Sequence, residues 1–311
     1  MKQVILFFTI ILCITLGIRT YLAFSGTSPF YSSDISTTTA DTLPMLNIHF
    51  MDIGQGDATF VEFPDGEQML VDCSIDNRVL EALGRNMPFY DNTIDYLVVT
   101  HPDLDHYGGC VDVMKRFDIG HIIYNGLEKP YDELWQSFQA EIQAQKAKGV
   151  EFILADHPFV WDIASTTVQF LYPDHAIPED AHIPGLEKDV GANGTSVVIK
   201  LSYGDEDALL MGDAEEELEE YLIQTYGDQL DVDVLKMGHH GSQTASSQAY
   251  IDATSPAVAI ASCGLNNKFG HPSPRVLKRF ERAGTQVWRT DSAGDILVSF
   301  TTSSYHVESQ F

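Results

Sequence analysis

Positive charge is what this sequence has least of. Its 311 residues carry 18 Lys and Arg against 45 Asp and Glu, a formal charge of −27. Such a surface repels phosphate backbones at long range, which excludes tight non-specific nucleic-acid binding without divalent cations or a partner. A few of these carboxylates could hold metal; most form a solvated surface. Cysteine is also scarce. Cys13, Cys73, Cys110 and Cys263 contain no C-x-x-C pair, so no disulfide framework is expected, and the thiols of the folded part are read as buried and free. No segment repeats at a solenoid or propeller period, and no low-complexity tract is present. An uninterrupted run of full membrane-spanning length is missing too: the uncharged stretch after Lys2 covers residues 3–18 and stops at Arg19.

What remains is the composition of a globular protein, 44% hydrophobic and 20% charged. Residues 1–25 read as a signal peptide or a membrane anchor, with a cleavage-like Ala23-Phe24-Ser25 but with Arg19 and Tyr21 interrupting the path to it. If this segment crosses a bilayer, Lys2 stays inside and the rest of the chain lies outside, extracytoplasmic and either anchored or secreted. Residues 26–44 are small, polar and aperiodic, as in a linker, and residues 45–311 are expected to form one domain.

Within that domain, apolar alternation and turn residues mark strands at 46–53, 58–63 and 67–73, the last two joined at Pro64-Asp65-Gly66. A second pair, 195–203 and 207–212, turns at Gly204-Asp205. Further strands are expected at 93–100, 121–126, 151–154, 167–171, 232–238, 256–262, 286–290 and 295–300. Helices are expected at 78–83, from 108 onward, and at 131–149, 214–227, 246–251 and 273–284, the last opened by Pro274 and stopped by Gly284. Two strand-rich halves with helices outside predict a four-layer α/β sandwich, αββα, of two pseudo-equivalent halves. A doubly wound parallel sheet is the alternative, and the two hairpins argue against it.

The chemistry concentrates at strand ends. His101, Asp103, Asp105 and His106 place four metal-capable side chains within six residues, directly after the strand at 93–100. Imidazole and carboxylate are ligands for divalent cations, and a short loop lets them converge on one or two ions. Asp213 ends another apolar strand; on local grounds it could equally cap the helix that follows. His239 and His240 stand between Gly238 and Gly241, glycines that permit close approach to something small. His271 follows the strand at 256–262.

Together these segments resemble the metallo-β-lactamase superfamily, and within it the soluble hydrolase domain of the competence DNA-uptake protein ComEC and its free-standing relatives. The matching segments, in order, are Met51-Asp52-Ile53-Gly54-Gln55-Gly56-Asp57, 100–109 (THPDLDHYGG), 209–217 (LLMGDAEEE), 233–242 (DVLKMGHHGS), 270–274 (GHPSP) and Thr290-Asp291 with Gly294. The resemblance implies a hydrolase in which one or two divalent ions, Zn²⁺ or Mn²⁺, activate water. It implies His101 and Asp103 at a first metal, Asp105 and His106 at a second, Asp213 bridging, and His240 completing the second. His239 would then support the site or donate a proton, although the sequence does not say which of the pair points inward. A further first-site histidine expected near Asn193 is missing; His182 is the nearest loop candidate, and an oxygen-rich first site favours Mn²⁺. Asp57 and Asp72 would orient ligating histidines. Asp105, His239 and His271 are the candidate catalytic groups, the last facing an oxyanion or leaving group with help from Asn266. Thr290 and Asp291 would brace the floor, and Lys268 and Arg275 could contact phosphate. The implied substrate is a phosphoester, with single-stranded DNA one candidate and small phosphodiesters or cell-surface phosphorylcholine esters the competitor; lactam or carboxylic-ester cleavage comes third. A non-catalytic binding module on the same fold is the reading from another class. The membrane is a partner only through an uncleaved N-terminal segment, and nothing points to a protein partner.

Overall fold

The computed structural model describes residues 44–129, 133–178 and 180–310. The expected anchor over 1–25, and the expected linker over 26–44 except its last residue, lie outside them. Among the described residues no helix is long and apolar enough to cross a membrane.

Two mixed sheets pack face to face. The first has eight strands, ordered β15-β14-β1-β2-β3-β4-β5-β6. Its members are β1 (Leu46–Phe50), β2 (Thr59–Glu62), β3 (Gln68–Val71), β4 (Thr93–Val99), β5 (Asp118–Tyr124), β6 (Glu151–Leu154), β14 (Asp295–Phe300) and β15 (Tyr305–Gln310). The second has seven, ordered β13-β12-β11-β10-β9-β8-β7. These are β7 (Phe159–Ile163), β8 (Thr166–Tyr172), β9 (Val198–Tyr203), β10 (Glu206–Leu210), β11 (Val234–Lys236), β12 (Val258–Ala261) and β13 (Gln286–Arg289). The helices are α1 (Arg78–Asn86), α2 (Leu104–Tyr107), α3 (Cys110–Arg116), α4 (Glu133–Lys148), α5 (Glu216–Tyr226), α6 (Gln248–Thr254), α7 (Pro274–Ala283) and α8 (Thr290–Ala293).

The period-two geometry of a strand sorts its side chains into layers. On β3, Met69 and Val71 enter the core between the sheets while Leu70 faces the helices; on β4, Val98 faces inward while Leu97 and Val99 face outward. Ile199 and Leu201 of β9 and Ala208 and Leu210 of β10 come from the second sheet to meet them. Helices α1, α3 and α4 cover the first sheet's outer face; α5, α6 and α7 cover the second's. This is the expected αββα sandwich, and the two predicted hairpins, β2–β3 and β9–β10, are both antiparallel.

The halves are less equivalent than expected. The chain builds β1–β6 in one sheet and β7–β13 in the other, then returns β14 beside β1 and closes with β15 at the sheet edge. Neither β7 nor β15 was legible: both are short edge strands, β15 without a buried residue and β7 with Ile163 alone buried.

One expectation is overturned. Cys73 and Cys110 are not free thiols but a disulfide; Cys263 alone among the described cysteines is free, and it is buried. Their separation of 37 positions hides the pairing in the sequence. The fold makes it, because the segment after β3 and the start of α3 meet beside the His106 turn, where the Cys73 amide donates to the His106 carbonyl at 2.7 Å. Closing a loop of this length removes denatured-state entropy worth about 3–4 kcal/mol. Replacing both cysteines by alanine should therefore lower unfolding free energy by about that amount, read as a shifted denaturant midpoint; an unchanged midpoint would show that the bond adds no stability.

Candidate metal centre

The site gathers at one end of the sandwich, where parallel strands finish. In the first sheet β3 and β4 run parallel, so Asp72 and His101 emerge side by side. In the second, β10, β11 and β12 run parallel and deliver Asp213, the His239-His240 pair and the loop carrying His271 to the same end. Ligand sites form outside such carboxyl ends because loops can converge there without breaking sheet hydrogen bonds.

The side chains converge closely. His106 Nε2 lies 3.2 Å from Asp213 Oδ1. His240 Nε2 lies 3.4 Å from Asp105 Oδ2 and 3.5 Å from Asp213 Oδ2. Ligand atoms of His101, His106 and Asp213 fall within 4.8 Å of one another, as do those of Asp105, His106 and His240. His101 Nε2, His106 Nε2, His240 Nε2 and Asp213 Oδ1 are all buried without a hydrogen-bond partner. Buried polar atoms are costly unless satisfied, and four of them aimed at one point fit a divalent cation. Among the expected residues, His101, Asp105, His106, Asp213 and His240 are therefore brought together, and His240 is the inward member of its pair. Asp103 stands at the margin, its Oδ2 3.6 Å from His101 Nε2.

Behind these groups a second set fixes their orientation. Asp72 accepts from Nδ1 of His106 at 2.7 Å and from the Thr100 amide at 2.8 Å. Asp57 Oδ1 lies 3.3 Å from Nδ1 of His240, which also meets the Ser262 carbonyl at 3.1 Å. His101 Nδ1 is held by Thr100 Oγ1 at 3.0 Å and by Ser196 Oγ at 3.3 Å. Each ring thus turns its Nε2 toward the centre. Backbone conformation contributes as well. His239 and His240 have φ of 43° and 54°, the left-handed region, at a cost on the order of 1–3 kcal/mol each. Gly238 makes the approach possible: a Cβ there would sit 2.2 Å from the Ala214 carbonyl oxygen. Gly56 does the same in the turn before Asp57, where a Cβ would sit 2.3 Å from the Asp105 carbonyl oxygen.

Three supporting residues escaped sequence reasoning. Lys236 is buried and pairs with Asp57; a lysine inside an apolar strand was the available signal. Glu215 accepts from His239 Nδ1 at 2.7 Å, one of three carboxylates in a row and so not distinguishable beforehand. Lys129 pairs with Asp103. The expected loop histidine does not arrive: His182 is half-exposed and bonded to Asp180. Asn193 instead lies with its amide nitrogen 3.2 Å from His239 Nδ1 and donates to Glu215 Oε1 at 3.5 Å, the acceptor that ring also uses.

His239 is a quarter exposed and belongs to no ligand cluster. Burial disfavours its charge, but the bond to Glu215 and the charge of Asp213 outweigh that and raise its pKa. His271 stacks beside His240, with ring centroids 6.3 Å apart, and lies 5.3 Å from His239. Burial and the neighbouring imidazoles push its pKa down to about 4, so it is neutral at pH 7. Thr290 brackets the Cys263 backbone, accepting from its amide at 2.9 Å and donating to its carbonyl at 3.1 Å. Asp291 is tied to Arg289.

Beside the centre lies a cavity of about 450 Å³ lined by Gln55, Ile75, Leu104, Asp105, Asn267, Lys268 and Phe269. Asp105 belongs to both. Leu104 and Phe269 are exposed there, and the Lys268 ammonium lies 5.0 Å from the Phe269 ring centroid. Arg275 is not among the lining residues.

Comparison with known proteins agrees with this geometry. Residues 51–264 match the metallo-beta-lactamase superfamily. ComE operon protein 3 of Bacillus subtilis (strain 168) is 28% identical over 268 residues, 80% of this chain and 32% of that protein. Competence protein ComA of Neisseria gonorrhoeae is 32% identical over 201 residues, 65% of this chain and 24% of that protein. The chain thus spans a third or less of the length of these curated relatives. Among solved structures, the metallo hydrolase Igni18 of Ignicoccus hospitalis superposes with a TM-score of 0.50 at 15% identity, covering 82% of this chain and 100% of that one. The E377D mutant of CmlA beta-hydroxylase gives 0.51 at 13% identity, covering 82% and 54%. At such identities they show the fold alone.

The protonation of the ligands gives a direct test of metal binding. Burial opposes charge on His106 and His240, but Asp213 with Asp72, and Asp213 with Asp57, raise both, His240 to about 10. Both rings are therefore protonated at pH 7 without a cation, and a cation must displace those protons. Binding at pH 7 should release about two protons, and affinity should climb as pH rises through neutrality. Calorimetry in buffers of different ionisation enthalpy reads the count; heat independent of buffer would show that the ion displaces no protons from these histidines.

Proposed function

The chain belongs to the metallo-beta-lactamase superfamily, and on that premise we propose that this metal-dependent hydrolase is an extracytoplasmic phosphodiesterase acting on single-stranded nucleic acid, in the manner of the ComEC hydrolase domain. The observation that carries the reading is the cavity opening on Asp105. Its Phe269 offers a face for a base, Leu104 and Ile75 continue the apolar floor, and Lys268, which makes no ion pair among the described residues, suits the adjoining phosphate. The names of the two curated relatives, a ComE operon protein and a competence protein, support it. The Cys73–Cys110 bond supports an oxidising, extracytoplasmic setting, and the first 25 residues would supply the export signal or anchor.

His101, Asp105, His106, Asp213 and His240 would hold the metal, one or two divalent ions. Bound there, the ions supply Lewis acidity and lower the pKa of water. The chain's own groups do the rest. Burial opposes charge on Asp105, yet the bond to His240 and the charge of His106 keep it ionised, the form a metal ligand needs, and the proton that water loses passes to solvent. His239, protonated against Glu215, can pass a proton to the leaving oxygen as the phosphorus–oxygen bond breaks. Neutral His271 and Lys268 face the oxygens on which charge develops. The formal charge of −27 favours one second reading, hydrolysis of small phosphoesters in which no long polyanion approaches.

The two readings separate on a panel of single-stranded DNA, bis-nitrophenyl phosphate, nitrophenyl phosphorylcholine and a lactam, each with Mn²⁺ or Zn²⁺. DNA cleavage is expected; cleavage of the small esters alone overturns the nuclease reading. Phe269→Ala should raise KM for an oligonucleotide roughly five- to a hundredfold through lost stacking, with little change for the nitrophenyl ester. An equal change for both would remove the stacking role.

A further inference from the structure

We propose that Lys129 takes the place of a cation at the first metal position, so that the centre holds one divalent ion, not two. The ligand atoms of the described residues form four groups of three, drawn from Asp57, Asp72, His101, Asp105, His106, Asp213 and His240. Asp103 belongs to none of them. One of its carboxylate oxygens is occupied by the Lys129 ammonium, and the other lies 3.6 Å from His101 Nε2. His101 itself enters only one group, with His106 and Asp213, and both of those also serve groups built around the second position. The first position therefore rests on His101 and on what Asp213 can share.

No further ligand completes it among the described residues. Asn193 has its amide on His239 and Glu215, and His182 is turned to Asp180. The second position is different: Asp105, His106, Asp213 and His240 all have atoms facing it.

Lys129 changes the electrostatics of the poorer position. A protonated ammonium is a donor with no lone pair, so it cannot ligate. It neutralises Asp103, removing the carboxylate that would attract an ion, and repels any dication entering beside it. It is also 40% exposed, so its remaining donors stay open to solvent and do not depend on a metal for partners. The ammonium thus supplies one positive charge at the position where a second ion would supply two.

The proposal rests on the metal-dependent hydrolase assignment and not on the nucleic-acid substrate, and its test reads metal content. The full metal-free chain is titrated with Mn²⁺ alone, with bound ions counted by native mass spectrometry and their coupling read by electron paramagnetic resonance. One ion per chain, with the spectrum of an isolated Mn²⁺, is expected. Asp103→Asn should leave that ion bound with little change in affinity. Lys129→Met should admit a second, spin-coupled ion, with affinity at the first position raised about tenfold or more, whereas Lys129→Arg should keep the count at one. Thermal melting of each variant separates misfolding from a changed site. Two coupled ions in the unmodified chain, or a count of one that persists in a folded Lys129→Met protein, overturns the proposal. Because no substrate enters the measurement, a failed nuclease assay leaves its outcome intact.

Discussion

Asp213 is buried, and its two oxygens face histidines from opposite sheets: His106 from the first, His240 from the second. A buried carboxylate is tolerable only with opposite charge or a cation against it, and removing one partner of such a set costs about 3–5 kcal/mol. The position of Asp213 therefore couples the two sheets at the end where the site forms. The loop after β4 must bring His106 in, and the glycine-framed turn after β11 must bring His240 in, or the carboxylate is left unpaired.

That constraint accounts for features that otherwise look expensive. Left-handed backbone at two consecutive histidines is unfavourable, yet it lets one ring of the pair enter the cluster while the other turns to Glu215. A lysine buried in β11 is unfavourable alone, yet it pairs with Asp57, which in turn meets His240. Strain and buried charge of this kind persist where the surrounding fold fixes them, and they concentrate at functional sites.

The two sides of the centre are built unequally. On the side of Asp105, His106 and His240, each ring is backed by a carboxylate, Asp72 for one and Asp57 for the other, which fixes the tautomer and strengthens the ligand. On the side of His101, the ring is backed by hydroxyls of Thr100 and Ser196, and Asp103 is engaged by a lysine. Hydroxyls orient a ring without adding negative charge, so this side is the weaker attractor for a cation. The apolar cavity adjoins the richer side through Asp105.

The sequence by itself determined the αββα layering and pointed to most of the residues that the fold gathers at the candidate metal centre. Alternating apolar strands, two hairpin turns and ligating side chains packed at strand ends are local signals, and each survives without knowledge of the fold. His101, Asp105, His106, Asp213 and His240 were legible for that reason. Tertiary structure alone decided which histidine of the pair faces inward, because the choice depends on backbone dihedrals at the Gly238 approach to Ala214. It decided the Cys73–Cys110 bond, since the two cysteines stand 37 positions apart and only the packing of the β3 end against α3 brings them together. It also decided the return of β14 and β15 to the first sheet and the pairing of Lys129 with Asp103. Each of these joins residues far apart in the chain, and neither spacing nor periodicity carries information over such distances.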